Sequence, residues 1–431
     1  MRPVANSLAE SEFRRKNAAA LLAAAWALPS AALAGFLAMQ LDAWTIPSST
    51  LLVFGSPAIV LLDRVLVWGW AFAFFADRVS LVRLAILGVL LDLMIPLDRV
   101  SCHASPQFLV AEAFAVGVCL VPAQLFARWT RERSHLTARN MMHLCFHSAL
   151  LLGIWPLLIT QFLGGNWHAW AERSSAADKF YLQFLILPCV FLITSMQEFH
   201  AAGRGTPMPH DAPPRLVTTC IYSYVANPMQ IGKFGVLFFW GLFWKNGWIV
   251  AAAFLGLVYS LTIARWNENG DMAARFGAEW ILYRRNVRRW LPRWRPWIAA
   301  VGAADSAALY LDLDCGPCGH FARWFAAQCP TQLRVLPLTA HFPNTITRVT
   351  YRIAGGDSEV RGIQAIARGF DHLNFAWAFC GWILRLPLIG WVAELITEAV
   401  SPSEAEHCHV IVPGGSPRIP SVELRSRFFK I

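Results

Sequence analysis

Long apolar segments recur along the first two thirds of this chain and constrain its fold more than any other feature. A helix needs roughly 20 mostly apolar residues to cross a hydrocarbon layer about 30 Å thick. The composition agrees, since 56% of the residues are hydrophobic and 15% are charged. The sequence therefore predicts an α-helical polytopic membrane domain with about eight spanning helices. The predicted spans lie at 18–40, 50–76, 82–97, 106–127, 140–162, 180–197, 229–245 and 248–265.

Ionisable residues inside these segments are candidates for function, because charge is costly in hydrocarbon. Asp63 and Arg64 lie within the second segment, which is therefore either one span or two shorter re-entrant pieces. Asp92 and Glu112 lie in later segments. We expect these four residues to line a cavity between helices, with structural pairing as the favoured role.

Histidines add a second group of candidates. His143 and His147 are one helical turn apart, so both imidazoles could reach one metal ion or a haem. Packing near the cytoplasmic end of the segment is the favoured alternative. Glu198 and His200 lead directly into the polar passage described below, and we expect them to support a site there.

Basic residues collect in alternate loops, as the positive-inside rule requires of cytoplasmic loops. One set of loops carries clusters at 14–16, 78–83, 128–139 and 204–215, and the opposite set holds Arg99, Arg173, Lys179 and Lys245. We therefore expect the N-terminus and everything after residue 265 to be cytoplasmic. Juxtamembrane arginines facing anionic lipid explain the formal net charge of +10. The lipid bilayer is thus an expected partner, and nucleic acid is not.

A polar passage rich in proline and glycine interrupts the apolar segments at 203–232, GRGTPMPHDAPPRLVTTCIYSYVANPMQIG. Lipid supplies no hydrogen bonds, so irregular backbone beside spanning helices must be satisfied by protein or by a ligand cavity. The passage is therefore the first place to expect a binding site.

Two blocks around the next apolar hairpin carry a family resemblance. The first block holds Gly205-Thr206-Pro207, Pro209, Pro214, Leu216-Val217, Tyr222, Asn227-Pro228-Met229 and Gly232. The second holds Glu268, Phe276-Gly277, Tyr283 and the run VRRWLPR at 287–293. In this order the blocks resemble the isoprenylcysteine carboxyl methyltransferase and phospholipid methyltransferase families over about residues 180–296.

The resemblance implies a site for S-adenosylmethionine at the cytoplasmic membrane face and a lipid-like or isoprenoid acceptor that enters from the bilayer. A sulfonium cation favours a nearby carboxylate or aromatic face, which Glu268 and the two tyrosines can supply. The implied cofactor-binding residues are Tyr222, Tyr224, Asn227, Pro228, Gly232 and Glu268.

Four positions depart from the family pattern. The family usually has Gly at Cys220, Arg at Ala226, Tyr at Gln230 and a second Glu at Asn269. Because the loss of one buried charge alone would strand its partner, the joint loss of a cation and an acid is either compensatory or the mark of a weakened cofactor site.

After residue 300 the pattern changes to that of a small α/β unit. Strands are predicted at 306–314 and 334–338, followed by a hairpin of 347–353 with 358–361 and a helix at 362–372. The motif CGPC at 315–318 stands between the first strand and a helical stretch.

A CxxC at such a junction favours redox chemistry, because the free N–H groups of a helix N-terminus stabilise a thiolate. Cys315 is then the attacking thiol and Cys318 the resolving thiol. Asp312 or Asp314 would relay the proton of the resolving thiol. Zinc needs four ligands, and no second CxxC follows, so we favour the redox interpretation.

The same constellation resembles the DCC family of thiol-disulfide oxidoreductases, with Asp312, Cys315 and Cys318 carrying the match. The likeness continues through Arg323-Trp324, 362–367 and 381–396, so it covers about residues 306–400. It implies a thioredoxin-like core and a thiol or disulfide partner protein.

The prediction is thus a multi-domain protein of the bacterial inner membrane. Its parts are N-terminal transmembrane helices at 1–178, a methyltransferase-like domain at 179–298, a thioredoxin-like domain at 299–402 and a tail at 403–431. The favoured function is S-adenosylmethionine-dependent methyl transfer fused to thiol-disulfide exchange. Two alternatives stay open: an anchored oxidoreductase with a degenerate methyltransferase domain, and a non-enzymatic scaffold or metal-binding protein.

Overall fold

The computed structural model describes residues 2–45, 51–54, 56–94, 101–102, 106–165, 175–206, 213–299, 306–313, 316–340, 348–354 and 358–400. Its N-terminal helices are α1 (Arg2–Gln40), α2 (Ala58–Asp63), α3 (Leu81–Met94), α4 (Pro106–Ala115), α5 (Val121–Glu132), α6 (Leu136–Ala149) and α7 (Trp155–Leu163). Single π-helical stretches continue α2 over Arg64–Ala71, join α4 to α5 over Val116–Leu120 and join α6 to α7 over Leu150–Ile154. Four two-residue strands flank this bundle: β1 (Trp44–Thr45), β2 (Leu52–Val53), β3 (Ser56–Pro57) and β4 (Ser101–Cys102).

Small residues let α1 pack closely on its neighbours. Ala27 and Ala34 are fully buried in a core that includes Trp68 and Leu120. A Cβ added to Gly69 would lie 2.7 Å from the Cα of an α1 alanine. Such close backbone approach is how helices associate where lipid removes the hydrophobic drive between them.

The middle part consists of helices around a tight hairpin. These are α8 (Ala176–Phe184), α9 (Ile186–Ala201), α10 (Pro228–Phe243), α11 (Gly247–Leu261) and α12 (Ile263–Asn286), with a 3₁₀ turn at Cys220–Ser223. Pro228 starts α10, where its fixed φ suits the first helical position. Asn246 starts α11 because its side-chain oxygen accepts from the backbone N–H groups of Trp248 and Ile249, at 2.9 and 3.3 Å.

Five helices of the described residues are long and apolar enough to cross a membrane: Glu12–Gln40, Pro106–Glu132, Leu136–Leu163, Ala176–Ala201 and Gly247–Trp266. A sixth candidate span is a pair of apolar helices in the C-terminal part, Phe375–Leu384 and Pro387–Thr397. The two helices are bent by 86° relative to each other. The predicted count was about eight. The other three predicted segments form shorter helices: 58–71, the 14-residue α3 and the 16-residue α10. Prolines at 57 and 228 begin two of them, and apolarity alone does not set their length.

The C-terminal part contains the small mixed sheet predicted from the sequence. Its elements are β5 (Ala307–Leu311), α13 (Gly316–Ala327), β6 (Leu333–Pro337), β7 (Thr350–Arg352), β8 (Glu359–Arg361), α14 (Ile363–Phe370), α15 (Phe375–Leu384) and α16 (Pro387–Val400). The strand order is β6-β5-β7-β8. β5 and β6 are parallel and joined through α13, while β7 pairs antiparallel with β5 and β8.

One hydrophobic core contains residues from both sides of the domain boundary that was predicted between residues 298 and 299. Val190 of α9 and Ile221 of the 3₁₀ turn are fully buried together with Ala378 and Trp382 of α15. The α15 helix therefore packs directly against the membrane part of the chain.

Candidate functional site

The two resemblance blocks meet at the base of the α10–α11 hairpin. Their junction is made of backbone hydrogen bonds, which fix the two segments against each other without depending on side-chain identity. The Tyr283 hydroxyl also donates to the carbonyl of Tyr222 at 2.8 Å. The backbone bonds run from Ala226 N to Arg288 O at 2.9 Å, Asn227 N to Arg289 O at 3.1 Å, Arg293 N to Tyr224 O at 2.9 Å and Trp297 N to Ser223 O at 2.9 Å.

Both predicted cofactor tyrosines lie in the protein interior. Tyr224 is fully buried, and its hydroxyl donates to the carbonyls of Asp371 and Leu373, each at 3.1 Å. The ring of Tyr222 packs 5.3 Å from that of Phe199. Burial raises the pKa of both phenols. Tyr224 thus fixes the junction to the C-terminal part.

Asn227 and Pro228 stand at the start of α10, where the first turn has free N–H groups. Asn227 is largely buried. Gly232, one turn further, faces α9: an added Cβ would lie 2.6 Å from Leu192 Cγ and 2.9 Å from the carbonyl oxygen of Pro188. The structure therefore explains glycine at 232 by helix packing.

Glu268 of α12 lies beside the junction, with Oε2 3.4 Å from Nη1 of Arg289. The same guanidinium donates to the side-chain oxygen of Asn269. Burial raises the pKa of Glu268, and Arg289 and Arg284 act against that rise. Arg289 thus places a cation next to the Glu268 carboxylate, although Ala226 replaces the usual arginine. No role was predicted for Arg289, which the sequence marks only as a basic residue within the second block.

Cys220 occupies a backbone position that favours glycine. Its φ is +55°, in the left-handed region that favours residues without a Cβ. The side chain is buried, and its sulfur accepts a hydrogen bond of 2.9 Å from Nη1 of Arg385. Burial raises the pKa of the Cys220 thiol, so the group is held as a thiol.

A set of four charges, three of them buried and Arg368 half-buried, joins α9 to the C-terminal part. We call this set the interface network. Glu198 Oε2 lies 2.9 Å from Nη1 of Arg368 and 3.2 Å from Nη2 of Arg385. Asp371 Oδ2 lies 3.3 Å from Nη1 of Arg385. Two carboxylates thus face two guanidinium groups. The position of Glu198 near the site was predicted, but its pairing with Arg368 and Arg385 was not, because no local pattern links these residues.

Further donors complete the interface network. Trp382 Nε1 donates to Asp371 Oδ1 at 2.8 Å, and the Thr219 hydroxyl donates to Glu198. Buried charges are stable only when paired and hydrogen-bonded in this way. The network therefore connects the junction to α15, and the loss of any one of its members would leave a buried charge uncompensated.

The predicted dithiol site lies at the start of α13. β5 ends at Leu311 and α13 begins at Gly316, so the motif spans a strand-to-helix connection as expected. Cys318 is half-buried in the first turn and Asp312 is exposed. Asp314 and Cys315 lie outside the described residues.

Two cavities accompany these sites. One of about 380 Å³ opens beside the junction and is lined by Arg288, Pro292, Arg293, Trp294 and Arg295. A larger apolar cavity of about 460 Å³ lies between α1 and the α6–α7 helix. Its lining includes Trp26, Leu33 and Phe36 of α1 with Cys145, Phe146 and Leu157.

The histidine pair is packed inside the bundle. His143 is fully buried with its ring 4.9 Å from that of Phe126. His147 lies next to it and its Nδ1–H donates to the His143 carbonyl at 2.7 Å. No group of three His, Cys, Asp or Glu side chains is arranged to hold a metal ion within the described residues.

No family model, no curated protein sequence and no solved structure matches the chain. The two resemblances therefore rest on the motifs quoted above and on the geometry that surrounds them.

Proposed function

We propose that the protein is an integral membrane enzyme whose 179–298 region transfers a methyl group from S-adenosylmethionine to a lipid-like or isoprenoid acceptor. The observation that carries this proposal is the hydrogen-bonded junction of the two blocks beside a cavity lined by arginines. In the families that the chain resembles, the corresponding blocks enclose the cofactor.

Asn227 and Pro228 at the start of α10, with Glu268 and Arg289, would hold the cofactor. The positive end of α10 and the arginines of the cavity favour its carboxylate, and Glu268 offers a carboxylate to its sulfonium. The bound cofactor supplies an activated methyl group. The residues of the chain then serve mainly to orient the reactants and to exclude water.

The larger apolar cavity suits the hydrocarbon part of an acceptor. Its walls are aromatic and aliphatic side chains of α1 and the α6–α7 helix. The α6 helix also carries Asn140, whose side-chain N–H donates to the carbonyl of Gly205 at 3.2 Å. One helix thus connects the apolar cavity with the polar passage of the first block.

Calorimetric titration of the purified protein in detergent with S-adenosylmethionine tests the proposal. We expect saturable binding by the wild type, about 10-fold weaker binding by Glu268→Gln and unchanged binding by Glu279→Gln. Glu279 is a matched control because it is an exposed glutamate of α12 that lies beyond the break in this helix at Gly277, where φ is +49°. Absence of binding heat in the wild type would refute the methyltransferase assignment.

We also propose that the 299–402 region is a thiol-disulfide oxidoreductase that uses Cys315 and Cys318. The strand order β6-β5-β7-β8, with one parallel pair and two antiparallel pairs, supports a thioredoxin-like core. The position of Cys318 in the first turn of α13 supports a dithiol at a helix N-terminus. Asp312 and Asp314 would assist proton transfer from the resolving thiol.

Redox titration against glutathione tests this second activity. The wild type should exchange two thiols for one disulfide with a defined reduction potential. Cys315→Ser and Cys318→Ser should each abolish the two-electron transition, whereas Cys329→Ser, an exposed cysteine at the far end of α13, should not. A wild type whose two thiols never form a disulfide would exclude this activity.

The enclosed positions of Tyr222, Tyr224 and Gly232 favour a second candidate: an anchored oxidoreductase whose membrane part no longer methylates. These residues are explained by packing and by hydrogen bonds inside the protein. A wild type that binds no S-adenosylmethionine but completes the dithiol titration would favour this candidate.

We further propose a bacterial inner membrane location with the N-terminus and the C-terminal part in the cytoplasm. Cys329 and Cys380 are exposed, so an impermeant maleimide should label them only after the membrane is opened. A cysteine introduced by Lys245→Cys, in a loop expected on the opposite side, should react in intact spheroplasts. The reverse pattern would contradict this orientation.

A further inference from the structure

The N-terminal bundle buries an arginine among carboxyl groups, far along the chain from both proposed active sites. Arg64 Nε and Nη2 donate to Asp92 Oδ2 at 3.1 and 3.0 Å, and Nη2 also donates to Glu112 Oε1. The guanidinium lies 5.1 Å from the ring centroid of Trp68. The three charged side chains are only 1%, 4% and 3% exposed.

A third carboxyl group completes this cluster. Asp92 and Glu112 accept from the same nitrogen of Arg64, so their carboxyl groups are neighbours, and Asp63 faces both of them electrostatically. Asp63 Oδ2, Asp92 Oδ1 and Glu112 Oε2 are buried, and no described residue donates a hydrogen bond to them. Three acids therefore face one guanidinium group. On each acid, one buried oxygen accepts no hydrogen bond from a described residue.

Protonation of one acid would reduce the excess of negative charge in the cluster and would supply a hydrogen-bond donor. Two carboxylates in contact repel each other, and a hydrogen bond between them exists only if one carries a proton. An unpaired carboxylate inside a helix bundle would carry the full desolvation penalty. A proton on the Asp92–Glu112 pair supplies the missing donor and removes one surplus negative charge.

We propose that Asp63, Asp92 and Glu112 form, around Arg64, a proton-binding site of the membrane bundle. Asp92 and Glu112 share the proton, and the half-buried Asp63 exchanges it with the surroundings. Uptake and release change the charge of the cluster by one, so the bundle responds to proton concentration. This activity is independent of methyl transfer and of thiol exchange.

The surroundings favour a proton over a metal cation. The groups that face Arg64 electrostatically are Asp63, Asp92, Glu112 and Cys119, and those that face Asp63 are Asp92, Arg64 and Glu112. The guanidinium already supplies one positive charge at the centre of the cluster, which repels a metal ion but leaves room for a neutral carboxyl. The described residues also hold no cluster of three potential ligands with metal-binding geometry.

Infrared difference spectroscopy of the full-length protein in nanodiscs tests the proposal. At pH 7 an exposed carboxyl, with a pKa of about 4, is ionised. We expect the wild type to retain a carbonyl-stretch band of a protonated carboxylic acid at this pH, to shift it in D₂O and to lose it at higher pH. Asp92→Asn and Glu112→Gln should each remove the band, and Glu132→Gln, an exposed acid at the end of α5, should leave it unchanged.

The wild-type measurement needs no folded variant, so it decides the question even if a substitution unfolds the bundle. A spectrum without a protonated carboxyl at pH 7 would overturn the proposal. Loss of the band on addition of sodium chloride at constant pH would also overturn it, because the site would then hold sodium. Neither result bears on binding of S-adenosylmethionine or on the dithiol.

Discussion

Arg385 is the residue whose loss should most weaken the contact between the membrane part and the C-terminal part. In Arg385→Gln the side chain no longer pairs with Glu198 and Asp371, at 3.2 and 3.3 Å, and no longer donates to Cys220. Arg368 then faces both carboxylates alone, at 2.9 Å from Glu198 and 3.7 Å from Asp371, so one buried negative charge is uncompensated. Removal of one partner from a buried ion pair costs about 3–5 kcal/mol.

Hydrogen–deuterium exchange measures this loss locally, since amide exchange reports the free energy of local opening. A change of about 3–5 kcal/mol corresponds to roughly 10²- to 10⁴-fold faster exchange. We expect this acceleration in peptides that cover 217–225 and 371–386. Peptides from α1 and α5 should exchange as in the wild type.

The matched control is Arg361→Gln. Arg361 pairs with Glu359 at 3.6 Å on the surface, with 56% of its side chain exposed. Exposed pairs contribute about 0–1 kcal/mol, so exchange should change little. If the two segments exchanged as slowly in Arg385→Gln as in Arg361→Gln, the interface network would not hold the membrane part and the C-terminal part together. That result would refute the prediction.

Three further predictions concern the same region. Burial lowers the pKa of His372 from 6.5 to about 4, so the unfolded chain binds a proton more readily than the folded one. The contribution of neutral His372 to the free energy of unfolding is complete above pH 6.5 and is lost as the pH falls from 6.5 to about 4. The melting temperature of His372→Gln should therefore depend less on pH in this range than that of the wild type. Gly232→Ala should lower stability by about 1–3 kcal/mol through the clash with Leu192, whereas Gly256→Ala, with open space around it, should not; equal melting temperatures would contradict the packing argument. At Cys220, the positive φ predicts that Gly is more stable than Ala by about 1 kcal/mol, and the reverse order in denaturant unfolding would exclude backbone strain there.

The sequence predicted the classes of structure better than their lengths. Apolar segments identified most of the helices, and α10 agrees with its predicted range to within two residues. The predicted segment 50–76, in contrast, forms a helix only over 58–71, after Pro57. The small sheet after residue 300 was predicted strand by strand, since its strands carry strong local patterns. Helix length depends on capping and packing, which the composition of a window does not contain.

The candidate site was only partly predictable for a related reason. The sequence identified the two blocks by their resemblance, and the structure shows backbone hydrogen bonds between them. The pairing of Glu198 with Arg368 and Arg385 was missed, because 170 and 187 residues separate the partners along the chain. Ion pairs between residues so far apart produce no pattern within a short stretch of sequence. Glu198, Arg368 and Arg385 also belong to different parts of the secondary structure.

The interface network also dictates an order of assembly. Glu198 is synthesised long before Arg368 and Arg385. During translation the glutamate is therefore present before either of its arginine partners. Until the last quarter of the chain emerges, the carboxylate must remain hydrated or neutral. Maturation should therefore end with a docking step after translation. A chain truncated near residue 300 would leave Glu198 without its arginine partners and would expose the apolar surface that α15 covers.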